Sequence, residues 1–250
     1  HQAKHRIFQG CKAVVINGDD PLTNPLVPGT VTQKSFSLGD PDVGQFGLRE
    51  EAGTPWMVQG LKPILAVNKL AMFGRHNVAN ALAALALGQA VGLPMEAMTK
   101  TLTVFTGLSH RCEWVADIDG VAYINDSKGT NIGATVAALE GLGPALTGKI
   151  MLIAGGLGKG ADFSELVAPL SRYGKQVVLI GRDANDIEMA LVGKVRCIHA
   201  QDMQSAVSIA HAQAVSGDLV LLSPACASFD AYANFEARGD HFSALVRALA

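Results

Sequence analysis

Cysteine is scarce in this chain of 250 residues: Cys11, Cys112, Cys197 and Cys226 stand far apart and form no CxxC pair. That spacing excludes the usual thiolate zinc sites and disulfide frameworks and fits a reducing cytoplasm. Long apolar runs are also missing. The longest, Ala81 to Leu87, falls well short of the roughly 20 residues that a membrane-spanning helix needs, and no charged-then-apolar leader precedes it. Charge of one sign is absent too, with a formal net charge of -2 and 17% charged residues, so neither a nucleic-acid partner nor a membrane surface is expected. No fixed-period repeat or low-complexity tract occurs, which sets aside solenoid and disordered architectures. The expectation is a soluble cytoplasmic monomer. The chain opens His1-Gln2-Ala3-Lys4-His5 without methionine and soon enters the strand-like run Ala13-Val14-Val15-Ile16, as a segment cut from a longer protein would. His1 and His5 have the i, i+4 spacing of a helical metal pair, although two solvated histidines at a ragged end account for them better.

What the chain does have is core material, 49% hydrophobic residues, at a length that suits two domains of ordinary size. Lys12 to Val58 alternates short strands with turn-rich segments such as Asp20-Pro21-Leu22-Thr23-Asn24-Pro25. Helices are predicted from Asn77, as a cap, to Val91 and from Met95 to Phe105 behind Pro94. Thr106-Gly107-Leu108-Ser109 is the expected linker, giving domains over residues 1–107 and 108–250. Beyond it the period alternates: strands at Val121 to Ile124, Ile150 to Ala154, Val177 to Ile180, Val195 to His199 and Leu219 to Leu222. Between and after them come helices at Asn131 to Leu142, Asp162 to Arg172, Ala184 to Leu191, Asp202 to Val215 and onward from about Ala231. Continuous apolar strands between helices predict an α/β fold, a doubly wound Rossmann-like parallel sheet.

Ligands of such sheets bind beyond the carboxyl ends of the strands, and the unusual polar residues fall there. Asn125-Asp126-Ser127-Lys128-Gly129-Thr130 follows the first strand of this half, Gly155-Gly156-Leu157-Gly158-Lys159-Gly160 the second, and Ser223-Pro224-Ala225-Cys226-Ala227-Ser228 the fifth. Lys128 and Lys159 facing one crevice imply an anionic ligand, and helix amino ends opening from these loops favour carboxylate or phosphate further. The glycine-rich loop matches neither nucleotide template. A P-loop needs GxxxxGK[ST], but Ile153 stands five before Gly158 and Gly160 follows Lys159; Gly156, Gly158 and Gly160 give GxGxG in place of the dinucleotide GxGxxG.

Plainer readings stand beside these. Asp126 and Lys128 could pair on the surface for about 0 to 1 kcal/mol. Ser228 or Asp230 could cap the last helix, worth about 1 kcal/mol. The Lys159 loop could be a tight turn, and Cys226 fits a small buried residue better than a reactive thiol. In the first half Asn77 and Asn80 lie on one side of a helical turn, where two amides suit a purine edge; capping would explain Asn77 but not Asn80. Arg111, after His110, is either a cation beside the cleft or a solvated interdomain residue.

Taken in order, Ala3-Lys4 with Arg6-Ile7, Gly74-x-His76-Asn77-x-x-Asn80, Gly107-Leu108-x-His110-Arg111, Asn125-Asp126-Ser127-Lys128-x-Thr130-Asn131, the Gly155 to Phe163 loop and Leu222 to Ser228 closely resemble the Mur ligase family of ATP-dependent amide-forming enzymes. The resemblance covers nearly the whole chain, and the Lys159 loop with the Ser228 segment favours the branch that adds D-glutamate in peptidoglycan precursor synthesis. It implies that ATP phosphorylates the terminal carboxylate of UDP-N-acetylmuramoyl-L-alanine and that the amine of D-glutamate attacks the acyl phosphate. By the same resemblance Asn77 and Asn80 face adenine, Arg111 and Asp126 hold the ribose and phosphate side of ATP, and Lys128 lies near the transferring groups. Thr130 and Lys159 take the α-carboxylate of D-glutamate, while Ser228 and the backbone of Phe235 take its side-chain carboxylate. Lys4 matches a lysine that becomes carbamylated and helps hold Mg2+, an oxygen-seeking cation.

The family's amino-terminal UDP-binding domain and the P-loop of its ATPase domain have no counterpart in these 250 residues. The chain is therefore expected to comprise the last part of the ATP-binding domain plus the complete amino-acid-binding domain, inactive alone. The competing readings are a non-catalytic Rossmann-like module that binds a small anion, another Mur or folylpolyglutamate-type ligase, and a dinucleotide oxidoreductase weakened by the glycine spacing.

Overall fold

The chain divides into two units, His1–Thr106 and Gly107–Ala250, in a computed structural model that describes residues 2–72 and 74–249. In the first unit α1 (Gln2–His5) precedes β1 (Ala13–Asn17), β2 (Thr32–Phe36), β3 (Phe46–Glu51), β4 (Thr54–Gln59) and β5 (Lys62–Ala66), then α2 (Arg75–Ala90) and α3 (Met95–Leu102). The strands form one sheet in the order β1-β2-β3-β4-β5, parallel as far as β3 and antiparallel after it. Ala52 and Gly53 turn β3 into β4 with φ of 49° and 78°, the left-handed pair that a two-residue hairpin requires. Val78, Leu82 and Leu85 of α2 share one face and pack with Phe46 and Met57 of the sheet. Gly74, at φ 94°, is the N-cap of α2, so Asn77 lies inside the first helical turn rather than capping it.

The second unit contains β6 (Glu113–Ile118), β7 (Val121–Asn125), α4 (Ile132–Leu142), β8 (Ile150–Gly155), α5 (Val167–Tyr173), β9 (Gly174–Ile180), α6 (Ala184–Leu191), β10 (Cys197–His199), α7 (Met203–Gln213), β11 (Leu219–Leu222) and α8 (Phe235–Arg247). Its six-stranded sheet runs β10-β9-β8-β11-β7-β6. The strands are parallel except β6, which pairs antiparallel with β7. The apolar runs are continuous because both faces are covered: Ile150, Leu152 and Ala154 join one core with α4 and α6, while Met151 and Ile153 join another with α7 and α8. Alternation of side chains along a strand sends neighbours to opposite layers, and full burial of each large one is worth about 1.5–3 kcal/mol.

The main departures from expectation are these. β6 is an additional strand, joined to β7 by Asp119 and Gly120 at φ 54° and 75°; that Asp-Gly pair is a hairpin signal in its own right. The helix expected over Asp162 to Arg172 starts as a 3-10 turn, Phe163–Leu166, before α5. The last helix starts at Phe235 and not near Ala231, because the Asn234 side chain accepts from Ala237 N at 2.7 Å and fixes the cap there. Among the described residues no helix is long and apolar enough to cross a membrane.

Close backbone approach governs the end of β8. Gly156, at φ 128°, lies so near the Ala227 carbonyl that a Cβ there would overlap it. Gly156→Ala is therefore expected to destabilise the chain by more than about 2 kcal/mol. Gly133→Ala in α4, whose Cβ would find its nearest atom at 3.6 Å, is expected to be neutral or stabilising by up to about 1 kcal/mol. Urea unfolding of the two variants checks the contrast, and equal midpoints would contradict it.

Candidate active site

Because β11 lies between β8 and β7, the loops that follow these three strands are neighbours, and backbone hydrogen bonds lace them together. Asp126 N donates to Leu222 O at 2.7 Å, Ala225 N to Gly129 O at 2.9 Å and Gly155 N to Pro224 O at 2.9 Å, while Leu157 and Ala227 exchange bonds of 2.9 and 3.0 Å. Every loop that carries a candidate residue of the second unit is thus held to another.

Asp126 is buried at the root of this cluster. One carboxylate oxygen accepts from Ser223 Oγ at 2.7 Å and the other from Cys112 N at 3.2 Å. Burial pushes its carboxyl up to about 6, against the opposing pull of those hydrogen bonds and of the Arg111 charge. No ion pair joins Asp126 to Lys128 among the described residues; the Lys128 ammonium instead stands 3.9 Å from the centroid of the Phe235 ring. Thr130 is half-buried beside it, its N–H donating to Lys128 O at 2.7 Å.

Ser228 is buried and lines a cavity of 310 Å³ at the carboxyl ends of β8 and β9, together with Gly156, Asp230, Tyr232, Arg238 and His241. Neither Ser228 nor Asp230 caps α8. Ser228 O accepts the N–H groups of Ala231 and Tyr232 at 3.1 and 2.8 Å, and Asp230 Oδ2 accepts from Arg182 N at 2.9 Å. Lys159, at φ 57°, is exposed and does not line that cavity. The structure thus brings the Lys159 loop beside the Ser228 loop through the Leu157–Ala227 bridge, with the lysine itself in solvent. Arg111 is exposed. Cys226 is buried, with its thiol pushed up to about 12 by burial first and then by nearby carboxylates, which agrees with a packing residue and not a nucleophile.

In the first unit Asn80 Nδ2 donates to Asn77 Oδ1 at 3.3 Å, with Asn80 exposed and Asn77 half-buried on α2. Lys4 is exposed on α1. Of the His1 and His5 pair, His1 lies outside the described residues, and no cluster of three or more His, Cys, Asp or Glu side chains suited to a metal occurs among those described.

Arg238 of α8 is the functional neighbour that the sequence reading omitted. It is 1% exposed, and its guanidinium donates to Ser127 Oγ at 3.0 Å, Ser127 O at 2.8 Å and Cys226 O at 3.1 Å. No carboxylate lies within ion-pair distance of it among the described residues, and burial pulls its pKa down to about 10. It ties the loop after β7 to the loop after β11. Its helical position, three after Phe235, resembles any amphipathic surface arginine, so the sequence offered no signal beyond the adjacent Gly239.

The Asp126 carboxyl gives a pH-dependent test. With a folded value near 6 against an ordinary 3.8, the native state keeps a proton that the unfolded chain releases between those values. The contribution is present below pH 3.8 and lost as pH rises through 6. Asp126→Asn should remove that loss, so the stability of wild type relative to the variant falls by about 1–3 kcal/mol between pH 3.5 and 7. Urea titrations across that range check it; parallel curves would contradict it.

Comparison with known proteins bears on what these loops serve. Residues 110–226 match the family described as Mur ligase, glutamate ligase domain. The chain is 52% identical over 253 residues to the UDP-N-acetylmuramoylalanine–D-glutamate ligase of Acinetobacter baylyi, covering 100% of the chain and 56% of that protein. It is 51% identical over 250 residues to the enzyme of the same description from Pseudomonas aeruginosa, with the same coverage. The chain thus spans little more than half the length of the curated relatives it matches. Among solved structures, Thermotoga maritima UDP-N-acetylmuramate-alanine ligase MurC superposes with TM-score 0.66 at 15% identity over 100% of this chain and 55% of that one. MurF ligase of the same organism, in complex with ADP, superposes with TM-score 0.67 at 16% identity over 97% and 55%. At such identities the structural likeness speaks for the fold alone, an α/β architecture with parallel-containing sheets; residues 110–226 belong to the Mur ligase glutamate ligase domain, and the whole chain is similar in sequence to D-glutamate ligases.

Proposed function

We propose that the protein containing this chain is an ATP-dependent ligase that joins D-glutamate to UDP-N-acetylmuramoyl-L-alanine in peptidoglycan precursor synthesis, in the cytoplasm. Residues 1–107 would be the last portion of its central ATP-binding domain and 108–250 its amino-acid-binding domain. The observation that carries the reading is the gathering of Lys128, Thr130, Lys159 and Ser228 onto loops after three adjacent parallel strands. Identity near 50% with D-glutamate ligases along the whole chain supports the choice of amino acid.

D-glutamate carries two carboxylates, and this reading gives each its own receiver. Lys159 and Thr130 would take the α-carboxylate; Ser228 and the backbone of Phe235 would take the side-chain carboxylate. Two anchors fix the direction of the amine, so that it meets the carbonyl carbon of the acyl phosphate, from which inorganic phosphate leaves, and orientation of this kind supplies much of a ligase's rate. Lys128 would stabilise negative charge developing at the phosphoryl and carbonyl oxygens. Asp126 and Arg111 would hold the ribose and phosphate side of ATP, and Asn77 and Asn80 the adenine edge. Lys4, if carbamylated, would offer an anionic oxygen to Mg2+. Lys4 by itself does not make a metal site, and no cluster of three or more His, Cys, Asp or Glu side chains suited to a metal occurs among the described residues.

In the intact protein supplied with ATP and UDP-N-acetylmuramoyl-L-alanine, phosphate release over a panel of amino acids should respond to D-glutamate alone; equal response to L-glutamate or diaminopimelate would refute the assignment. Lys159→Ala in the same protein should raise the KM for D-glutamate at least about tenfold and leave that for ATP within about twofold. An equal rise in both would count against its role. The 250-residue chain by itself should form no amide, and product detected by mass spectrometry would overturn that expectation.

A further inference from the structure

The charge of Lys128 is held in an unusual way. Its ammonium lies 3.9 Å from the centroid of the Phe235 ring, and no carboxylate is within ion-pair distance among the described residues. Asp126, two residues away, already accepts from Ser223 and Cys112. The face of an aromatic ring attracts a cation through its quadrupole and leaves the charge uncancelled. A carboxylate in that place would neutralise the lysine and compete with an anionic ligand for it.

The ring is itself fixed from two sides. Phe235 opens α8, and its carbonyl accepts from Ser127 Oγ at 2.8 Å. The His110 ring meets it edge-on, with centroids 5.9 Å apart at 80°, and His110 O accepts from Lys128 N at 3.0 Å. His110 therefore touches both the lysine backbone and the ring beneath the lysine's charge. Asn125 Nδ2 lies 3.1 Å from His110 Nδ1, 3.1 Å from Gly239 O and 3.0 Å from Ser243 Oγ, which binds this histidine to α8. Gly239 has no side chain where a Cβ would overlap the His110 ring.

We propose that the side chain of Phe235 is a positioning residue: its ring is a seat that holds the Lys128 ammonium without a carboxylate partner and aims it at an anionic group of the reacting substrate, with His110 and Asn125 fixing the seat. This is distinct from any use of the Phe235 backbone, and it rests on the ligase reading above.

The seat and its catalytic consequence can be measured separately. In the chain labelled with 13C at lysine Cε, the Lys128 resonance, assigned by its loss in Lys128→Arg, should carry an upfield ring-current shift that persists in Phe235→Tyr and disappears in Phe235→Leu. In the intact protein Phe235→Leu should lower kcat about tenfold with the KM for D-glutamate within about threefold, and Phe235→Tyr should restore most of the rate. Absence of the shift in wild type overturns the proposal whether or not the leucine variant folds. So does a leucine variant with unaltered kcat, or one in which only KM rises. If the intact wild type forms no amide with D-glutamate, the ligase reading falls, and the shift still decides whether the seat exists.

Discussion

The placement of β11 between β8 and β7 is the constraint from which the site follows. A chain that laid its five parallel strands down in simple succession would leave the loops after β7 and β11 on distant parts of the sheet edge. Returning the last strand to the middle makes them neighbours, so that Asp126 can bond Leu222 and Ser223, and Gly155 can bond Pro224. The crevice thereby created is where open α/β sheets bind ligands. The cores on either face supply the rigidity, since each β8 residue from Ile150 to Ala154 is fully buried.

A carboxylate and a guanidinium, Asp126 and Arg238, are buried within this lacework, and neither has an ion-pair partner among the described residues. An isolated buried charge is costly, and hydrogen bonds to polar groups offset the cost. Arg238 is satisfied by carbonyls of Ser127 and Cys226 and the Ser127 hydroxyl; Asp126 is satisfied by Ser223 and the Cys112 N–H. Both side chains thus hold loops together, and Lys128, seated on a ring, and Lys159, in solvent, remain open to anions.

Much of the fold was legible because its signals are local. Continuous apolar runs marked β7, β8, β9 and β11 to within a few residues, and Ala184 to Leu191 was bounded as observed. β6 was missed although Asp119-Gly120 announces a hairpin, because Glu113 to Ile118 mixes polar and apolar residues as an edge strand does. The start of α8 was misplaced because Ser228, Asp230 and Asn234 all have side chains suited to capping, and sequence alone does not show that Asp230 is engaged by the distant Arg182 N–H while Asn234 takes the cap. Cys226 as a packing residue was readable from its type alone.

Composition and periodicity determined that this chain makes an α/β fold with polar, lysine-bearing loops at strand ends, because a strand or helix declares itself through its nearest neighbours in sequence. Only the tertiary structure decided that Arg238 ties the β7 loop to the β11 loop, that Asp126 sits buried and apart from Lys128, and that a phenylalanine 107 positions later lies under that lysine. Those facts depend on which strand lies beside which, and strand order is set by long-range packing that no local pattern encodes.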